Sequence, residues 1–256
     1  MTMKIEPRFR RGMVMVFIFM INSCLLAQTT FKDQQNMFPN VLQARQNQEA
    51  RIESLFAAAG ISYPSQGLVL IAYKWERVLE VWSRSDSSAA CNVVRTYPFT
   101  AYSGTLGPKR RRGDGQIPEG FYLISQFYPV SPFHLALLVS YPNASDRILG
   151  ERPDLGGDIC IHGNAVTIGC IPIGDAGIEE LYTMCVDQRS LGRDIPVYIF
   201  PCRMDSVAMA ELKTLAAANV GLYSFWENLR QGYDRFVNSF QPLRYWVNEK
   251  GKYIFY

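Results

Sequence analysis

The stretch Ile161-His162-Gly163-Asn164-Ala165-Val166-Thr167-Ile168-Gly169-Cys170 holds the two side chains best suited to nucleophilic chemistry. A cysteine attacks as its thiolate, and near neutral pH it needs a base or a positive neighbour to reach that form. His162 is such a base. An imidazole that takes the proton, whether as an ion pair or during attack, can later return it to a leaving group. Gly169 carries no side chain next to the sulfur, which would let a substrate backbone come close. The amides of Gly169 and Cys170 would then face the oxyanion of a tetrahedral intermediate. Two other readings of the same residues stand beside this one. Cys and His also serve as ordinary structural residues, and Cys160, His162 and Cys170 are all chemically able to ligate zinc. No paired-ligand spacing accompanies them, so no metal is assigned, and no cofactor motif is present.

His134 is the only other histidine of the chain. It sits beside Phe133 at the start of an apolar run and has two readings, a packed structural residue or a substrate and proton-relay residue. The basic run Lys109-Arg110-Arg111-Arg112 lies in a loop rich in Gly and Pro. A solvated loop is the default for such a run, yet guanidinium groups grip carboxylates through paired hydrogen bonds. Arg110, Arg111 and Arg112 are therefore candidate substrate contacts, as are His134 and Gly163. Tyr122, Tyr141 and Trp226 read as core aromatics, and Asp158 as a turn cap or an orienting group.

These residues need elements to hold them. Nearly half of the 256 residues are apolar, enough for a sizeable core. Residues 28–40 read as a linker and 40–60 as a helix stopped by Gly60. β-prone runs follow at 68–73, 78–82, 92–100, 121–126, 135–140, 159–162 and 196–200. A helix is expected over 175–185, with Asp175 at its N-cap and Glu179 and Glu180 in the first turn. Beyond Pro201 the pattern turns helical, at 207–218 and 223–236, and ends in a hairpin of 245–247 with 252–256. The fold class is mainly β with helical additions, an α+β arrangement.

The N-terminus reads as an export signal. Lys4, Arg8, Arg10 and Arg11 precede a short apolar run over 13–21, and Ala27 is a plausible cleavage point. Asn22-Ser23-Cys24 offers a second reading, a lipoprotein box that would give peripheral membrane association through Cys24, and an uncleaved anchor is a third. The formal net charge is +3. Residues 1–27 hold four of the 26 Lys and Arg and one of the 23 Asp and Glu, so the remainder carries 22 of each sign. The basic excess thus belongs to the signal, and no nucleic-acid partner is implied. Beyond Cys24, five cysteines remain, an odd number that leaves at least one thiol unpaired in an oxidising compartment. One solution is a free Cys170 with up to two disulfides among the others. Another is five reduced thiols.

His162-Gly163 followed by Thr167-Ile168-Gly169-Cys170 resembles the signature of the L,D-transpeptidase catalytic-domain (YkuD-type) family, a His-Gly preceding a Ser/Thr-x-Gly-Cys. Ile117-Pro118-Glu119-Gly120-Phe121 resembles its Pro-x-Gly segment entering a strand. Gly107-Pro108-Lys109-Arg110-Arg111, Ser131-Pro132-Phe133-His134 and Tyr141-Pro142-Asn143-Ala144-Ser145-Asp146 are similar to the YafK-like branch. The resemblance covers residues 67–201. It implies a β-sandwich catalytic core over that span, preceded by the signal (1–27) and a linker and helix (28–66), and followed by a helical extension (202–256). It further implies an exported, periplasmic, cell-wall-associated enzyme in which Cys170 attacks a carbonyl of a peptidoglycan stem peptide. His162 would act as base, Gly169 would flank the nucleophile, and Thr167 would support the site. Transfer to an amine gives a crosslink or an attached wall protein, and transfer to water gives carboxypeptidase or amidase chemistry. The sequence departs from many members at Ile168, where they carry a second His, and at Ile171-Pro172, where they carry Arg or Asn. These departures bear more on transpeptidation than on a reactive thiol, and they keep a non-catalytic peptidoglycan-binding protein as the rival.

Overall fold

The computed structural model describes residues 1–2 and 29–256, so Cys24 and nearly all of the expected export segment lie outside the described residues. The elements run α1 (Phe31–Asn36), α2 (Pro39–Ala58), β1 (Leu68–Tyr73), β2 (Val78–Ser83), β3 (Asn92–Pro98), β4 (Gly120–Ser131), β5 (His134–Val139) and α3 (Ala144–Leu149). They continue with β6 (Cys160–His162), β7 (Ile171–Pro172), α4 (Asp175–Ser190), β8 (Pro196–Phe200), α5 (Ser206–Leu215), α6 (Val220–Ser239), β9 (Tyr245–Val247) and β10 (Tyr253–Phe255). The first eight strands form one sheet in the order β3-β2-β1-β8-β4-β5-β6-β7, and β9 with β10 forms a separate ribbon. β4 bridges the two halves of the large sheet. Residues 120–123 pair with β8, and after Ile124 the register shifts and the strand pairs with β5. The α+β class expected from the sequence is the one observed.

Why β1 and β8 read as continuous apolar runs is now plain, because both faces of the sheet are covered. Successive strand side chains point to opposite faces. Leu68, Leu70, Ala72, Val197 and Ile199 join a core with α2 and α4. Val69, Ile71, Tyr73, Tyr198 and Phe200 join a second core with Met209, Leu212, Trp226, Leu229 and Phe236 of α5 and α6. The C-terminal helices are therefore a layer of the fold that covers an otherwise bare sheet face.

Three local expectations change. Residues 31–36, read as linker, form α1, whose N-cap Thr30 and Asp33 exchange capping-box hydrogen bonds. Tyr182 of α4 donates to its Gln35 at 2.6 Å, which docks it on the core. Residues 144–149 form α3 behind a second capping box, Asn143 with Asp146. The N-cap of α4 is Gly174, not Asp175, which is already helical. The Asp175 carboxylate instead accepts from the Asn164 amide at 2.7 Å and holds the loop after β6.

Candidate active site

β6 and β7 pair in parallel, Ile161 with Ile171 and His162 with Pro172. Ile161 and Ile171 are both fully buried in the core beneath α4. Side-chain alternation then turns Cys160 and His162 to the opposite face. Cys170 is the residue before Ile171, and Cys160 the residue before its partner Ile161. Cys160 and His162 share one face of β6, and Cys170, just before β7, brings its Sγ to the Cys160 amide two residues from His162.

Their resting contacts are with other groups. The Cys160 amide donates to Cys170 Sγ at 3.4 Å, and the thiol donates to the Asp158 carbonyl at 3.6 Å. His162 Nδ1 lies 2.6 Å from the Gly163 carbonyl. A carbonyl only accepts, so Nδ1 carries the proton and Nε2 is left as the basic nitrogen. The Phe133 ring packs on the imidazole, centroids 4.5 Å apart. No hydrogen bond joins the thiol and the imidazole among the described residues.

Thr167 organises the turn. Its Oγ1 accepts from the Cys170 amide at 2.8 Å and the Gly169 amide at 3.2 Å, and donates to the Cys170 carbonyl at 2.8 Å. This corrects the expected oxyanion site, because both amides are already spent on a hydroxyl. Gly169 also has a different reason to be glycine. Its φ is +133°, and a Cβ there would stand 3.0 Å from the Gln116 carbonyl oxygen. The loop packs against Gln116 at this point, so the missing side chain admits a neighbouring backbone and not a substrate.

Burial sets the proton inventory. It pushes the Cys170 thiol above its ordinary 9.0, with Asp158 adding to the rise while the Cys160 amide and the Lys109 charge oppose it. It pushes His162 below its ordinary 6.5, against the opposing Gly163 hydrogen bond. Both shifts favour the uncharged forms. The resting pair is a neutral thiol beside a neutral imidazole, not the ion pair that a Cys–His juxtaposition suggests. Alkylation of Cys170 by iodoacetamide is therefore expected to rise about tenfold per pH unit, with no plateau below pH 9. A plateau reached already near neutrality would contradict this.

The basic run divides. Arg110 lays its guanidinium 4.9 Å from the Phe225 ring of α6. Arg111 is exposed, 3.8 Å from Glu151, and Arg112 pairs with Asp154. None of the three arginines is among the contacts of Cys170. Lys109 is the cation whose charge reaches the sulfur. It is buried, with Nζ 2.6 Å from Asp114 and 2.8 Å from the Arg111 carbonyl. Asp114 also accepts from the amides of Arg110, Arg111 and Gln116, so one carboxylate shapes the whole loop. Burial separates Lys109 from its neighbours, and the acid five positions on was the signal that could have singled it out.

Both backbone groups of Gly163 are engaged within the fold. Its amide donates to Leu135 at 3.3 Å and its carbonyl accepts from His162. A Cβ on it would lie 2.5 Å from Asp175 Oδ1 and 2.7 Å from the Phe133 carbonyl, so it is a packing glycine. His134 is half-buried at the start of β5. Its Nε2 sits 2.9 Å from Glu179, which also accepts from Asn47 and Gln48, tying β5 to α4 and α2. Among the described residues all five cysteines are free. No three His, Cys, Asp or Glu side chains converge as metal ligands among them, so Cys160, His162 and Cys170 do not form the zinc cluster that their residue types allow.

No family model matches the chain. It is 34% identical over 173 residues to YafK of Escherichia coli K12, a protein named as an L,D-transpeptidase, covering 66% of each chain. The YafK of Escherichia coli O157:H7 gives the same figures. The chain thus spans just under two-thirds of these relatives' length. Among solved structures it is similar to the helical cell shape determining protein Pgp2 of Campylobacter jejuni, with a TM-score of 0.44 and 20% identity over 71% of this chain and 73% of that one. It is also similar to L,D-transpeptidase 1 of Mycobacterium tuberculosis, with a TM-score of 0.30 and 16% identity over 52% and 61%. The motifs around Cys170 and the identity to YafK agree, and the chain belongs to the L,D-transpeptidase family, in its YafK-like branch.

Proposed function

We propose that this protein is an exported, cysteine-dependent enzyme that transfers or hydrolyses acyl groups on peptidoglycan stem peptides. Cys170 is the nucleophile and His162 Nε2 the base. The thiol swings from the Asp158 carbonyl toward Nε2 and gives up its proton as Sγ attacks the peptide carbonyl. Catalytic hydrogen bonds often close only in the substrate complex, so the open resting pair is compatible with this step. The imidazolium then protonates the departing amine, the C–N bond breaks, and a thioester remains on Cys170. Water or a second amine releases the acyl group. Thr167 holds the nucleophile turn, and the buried Lys109 supplies positive charge to the emerging thiolate.

The observation that supports this reading is the contact of Cys170 Sγ with the Cys160 amide, two residues from His162, together with the His162 Nδ1 bond to the Gly163 carbonyl, which leaves Nε2 as the basic nitrogen. The name carried by the YafK relatives supports the substrate class. No helix among the described residues is long and apolar enough to cross a membrane, and wall association is assigned to the export signal.

The test is the product mass set from defined tetrapeptide, pentapeptide and protein-linked muropeptides, with wild type and Cys170→Ala. Loss of terminal D-alanine, crosslinked dimers or released protein, absent with the variant, is expected, and the masses identify the acceptor. Identical profiles from both proteins would remove the enzyme and leave a wall-binding protein.

A further inference from the structure

Cys160 and Cys170 stand side by side at the start of the β6–β7 pair. They are the residues directly before the paired Ile161 and Ile171. The strands they lead into stand about 4.8 Å apart, and a disulfide accepts Cα atoms about 4.4–6.8 Å apart. Cys170 Sγ already lies 3.4 Å from the Cys160 amide nitrogen, against the backbone that carries the second thiol. The remaining free cysteines, Cys91, Cys185 and Cys202, are buried, whereas Cys160 and Cys170 are both partly open. An oxidant arriving from solvent therefore meets these two thiols first.

We propose that Cys160 is a resolving cysteine that closes a reversible disulfide with Cys170 and caps the nucleophile. The oxidant is a small-molecule disulfide. The Cys170 thiolate attacks one sulfur of it and expels the first small thiolate, leaving a mixed disulfide on Cys170. The Cys160 thiolate then attacks Cys170 Sγ, the mixed S–S bond breaks, and the second small thiolate leaves. Two protein thiols are oxidised, one external disulfide is reduced, and the two protons go to the departing thiolates. The order of attack follows from the surroundings. Cys160 is pushed up to about 12 by burial and by the neighbouring Cys170 and Asp158. Cys170 has the Cys160 amide and the Lys109 charge on its side and ionises first. A captured sulfur at position 170 is then within reach of the one thiol that can release it. The linked state removes the nucleophile without unfolding the core, since Ile161 and Ile171 remain beneath it.

The linkage does not depend on turnover and is read by mass whether or not the chain acts on muropeptides. Reduced full-length protein is treated with oxidised glutathione at mildly alkaline pH and cleaved before Asp158 and Asp175. The resulting peptide, residues 158–174, contains Cys160 and Cys170 and no other cysteine. In wild type this peptide is expected two hydrogens lighter, free of glutathione, and resistant to alkylation until dithiothreitol is added. Labelling of Cys170 in the intact protein is expected to fall at least tenfold and to recover on reduction. In Cys160→Ser the same peptide is expected to retain one glutathione on Cys170. A wild-type peptide that keeps its glutathione, or stays open to alkylation at both thiols, overturns the proposal. If Cys160→Ser does not fold, Cys160→Ala replaces it, and the wild-type map alone still decides.

Discussion

Cys170→Ala is expected to lower turnover of stem-peptide substrate by about four orders of magnitude or more, with the circular dichroism spectrum and melting temperature close to wild type. Removal of a nucleophile eliminates the covalent route, and what survives is binding alone. The variant is also expected to accumulate no thioester, which intact-protein mass spectrometry reads directly. His162→Ala tests the second half of the pair and has a different signature. General-base catalysis contributes about 10²–10⁴-fold, so kcat should fall by that amount while KM changes little, because the imidazole works on the proton and not on the substrate. The residual activity of His162→Ala should climb steeply with pH, since hydroxide can replace a missing base when the thiol titrates above 9. Wild type should be flatter above its acid limb, which lies below 6.5 because burial holds His162 down. His162→Ala with wild-type kcat and an unchanged pH profile would sink the assignment of the base. His162→Gln is the less informative change, since its amide can still accept from the thiol without taking the proton. The fold should tolerate Cys170→Ala because the side chain is small and gives up only the long contacts to the Cys160 amide and the Asp158 carbonyl, whereas His162 packs against Phe133 and its removal is expected to cost some stability. Melting curves at the assay temperature therefore accompany the kinetics.

How much of this was written in the chain depends on what kind of contact fixes each feature. β1, β8 and β9 were legible at residue level, because a strand buried on both faces or packed in a ribbon leaves a continuous apolar or aromatic run. α1 was not, because after Phe31 the run Lys-Asp-Gln-Gln-Asn is polar and only the Thr30–Asp33 capping box announces it. α3 hid because six residues are too few for a helical period, with only the Asn143–Asp146 capping box to announce it. In the site, His162 and Cys170 were legible by type and spacing. The role of Gly169 was not, since its reason lies in the distant Gln116 carbonyl. Nor was the distinction between Lys109 and the three arginines after it, which is a matter of burial and of Asp114. The pairing of Cys160 with Cys170 needs the register of a two-residue strand, β7, too short to leave a periodic signal.

The second large effect lies outside the nucleophile pair, at Lys74 and Glu119. Both side chains are completely buried and 2.9 Å apart. Lys74 Nζ also donates to the carbonyls of Gly107 at 2.6 Å and Ile117 at 2.9 Å, which uses all three of its protons. Glu119 accepts from the Gly107 amide at 2.8 Å and from Trp226 Nε1 of α6 at 2.8 Å. Burial drives the Lys74 pKa down, and Glu119 is the main force holding it up. One charge without the other has no compensation, and breaking a buried pair from one side costs roughly 3–5 kcal/mol. Lys74→Met and Glu119→Gln are each expected to lose about that much in urea denaturation. The double change Lys74→Met with Glu119→Leu should lose less than the sum of the singles, because no stranded charge remains. The consequence for activity follows from what the pair holds. It fixes both ends of the 107–117 segment, which presents the Gln116 carbonyl to Gly169 and the Lys109 charge to Cys170. At temperatures where Glu119→Gln is still folded, Cys170 alkylation should therefore shift to higher pH, since a loosened loop withdraws Lys109 from the sulfur. If both single variants lie within about 0.5 kcal/mol of wild type, water reaches this pair in solution and screens it, and the loop must be held by Asp114 alone.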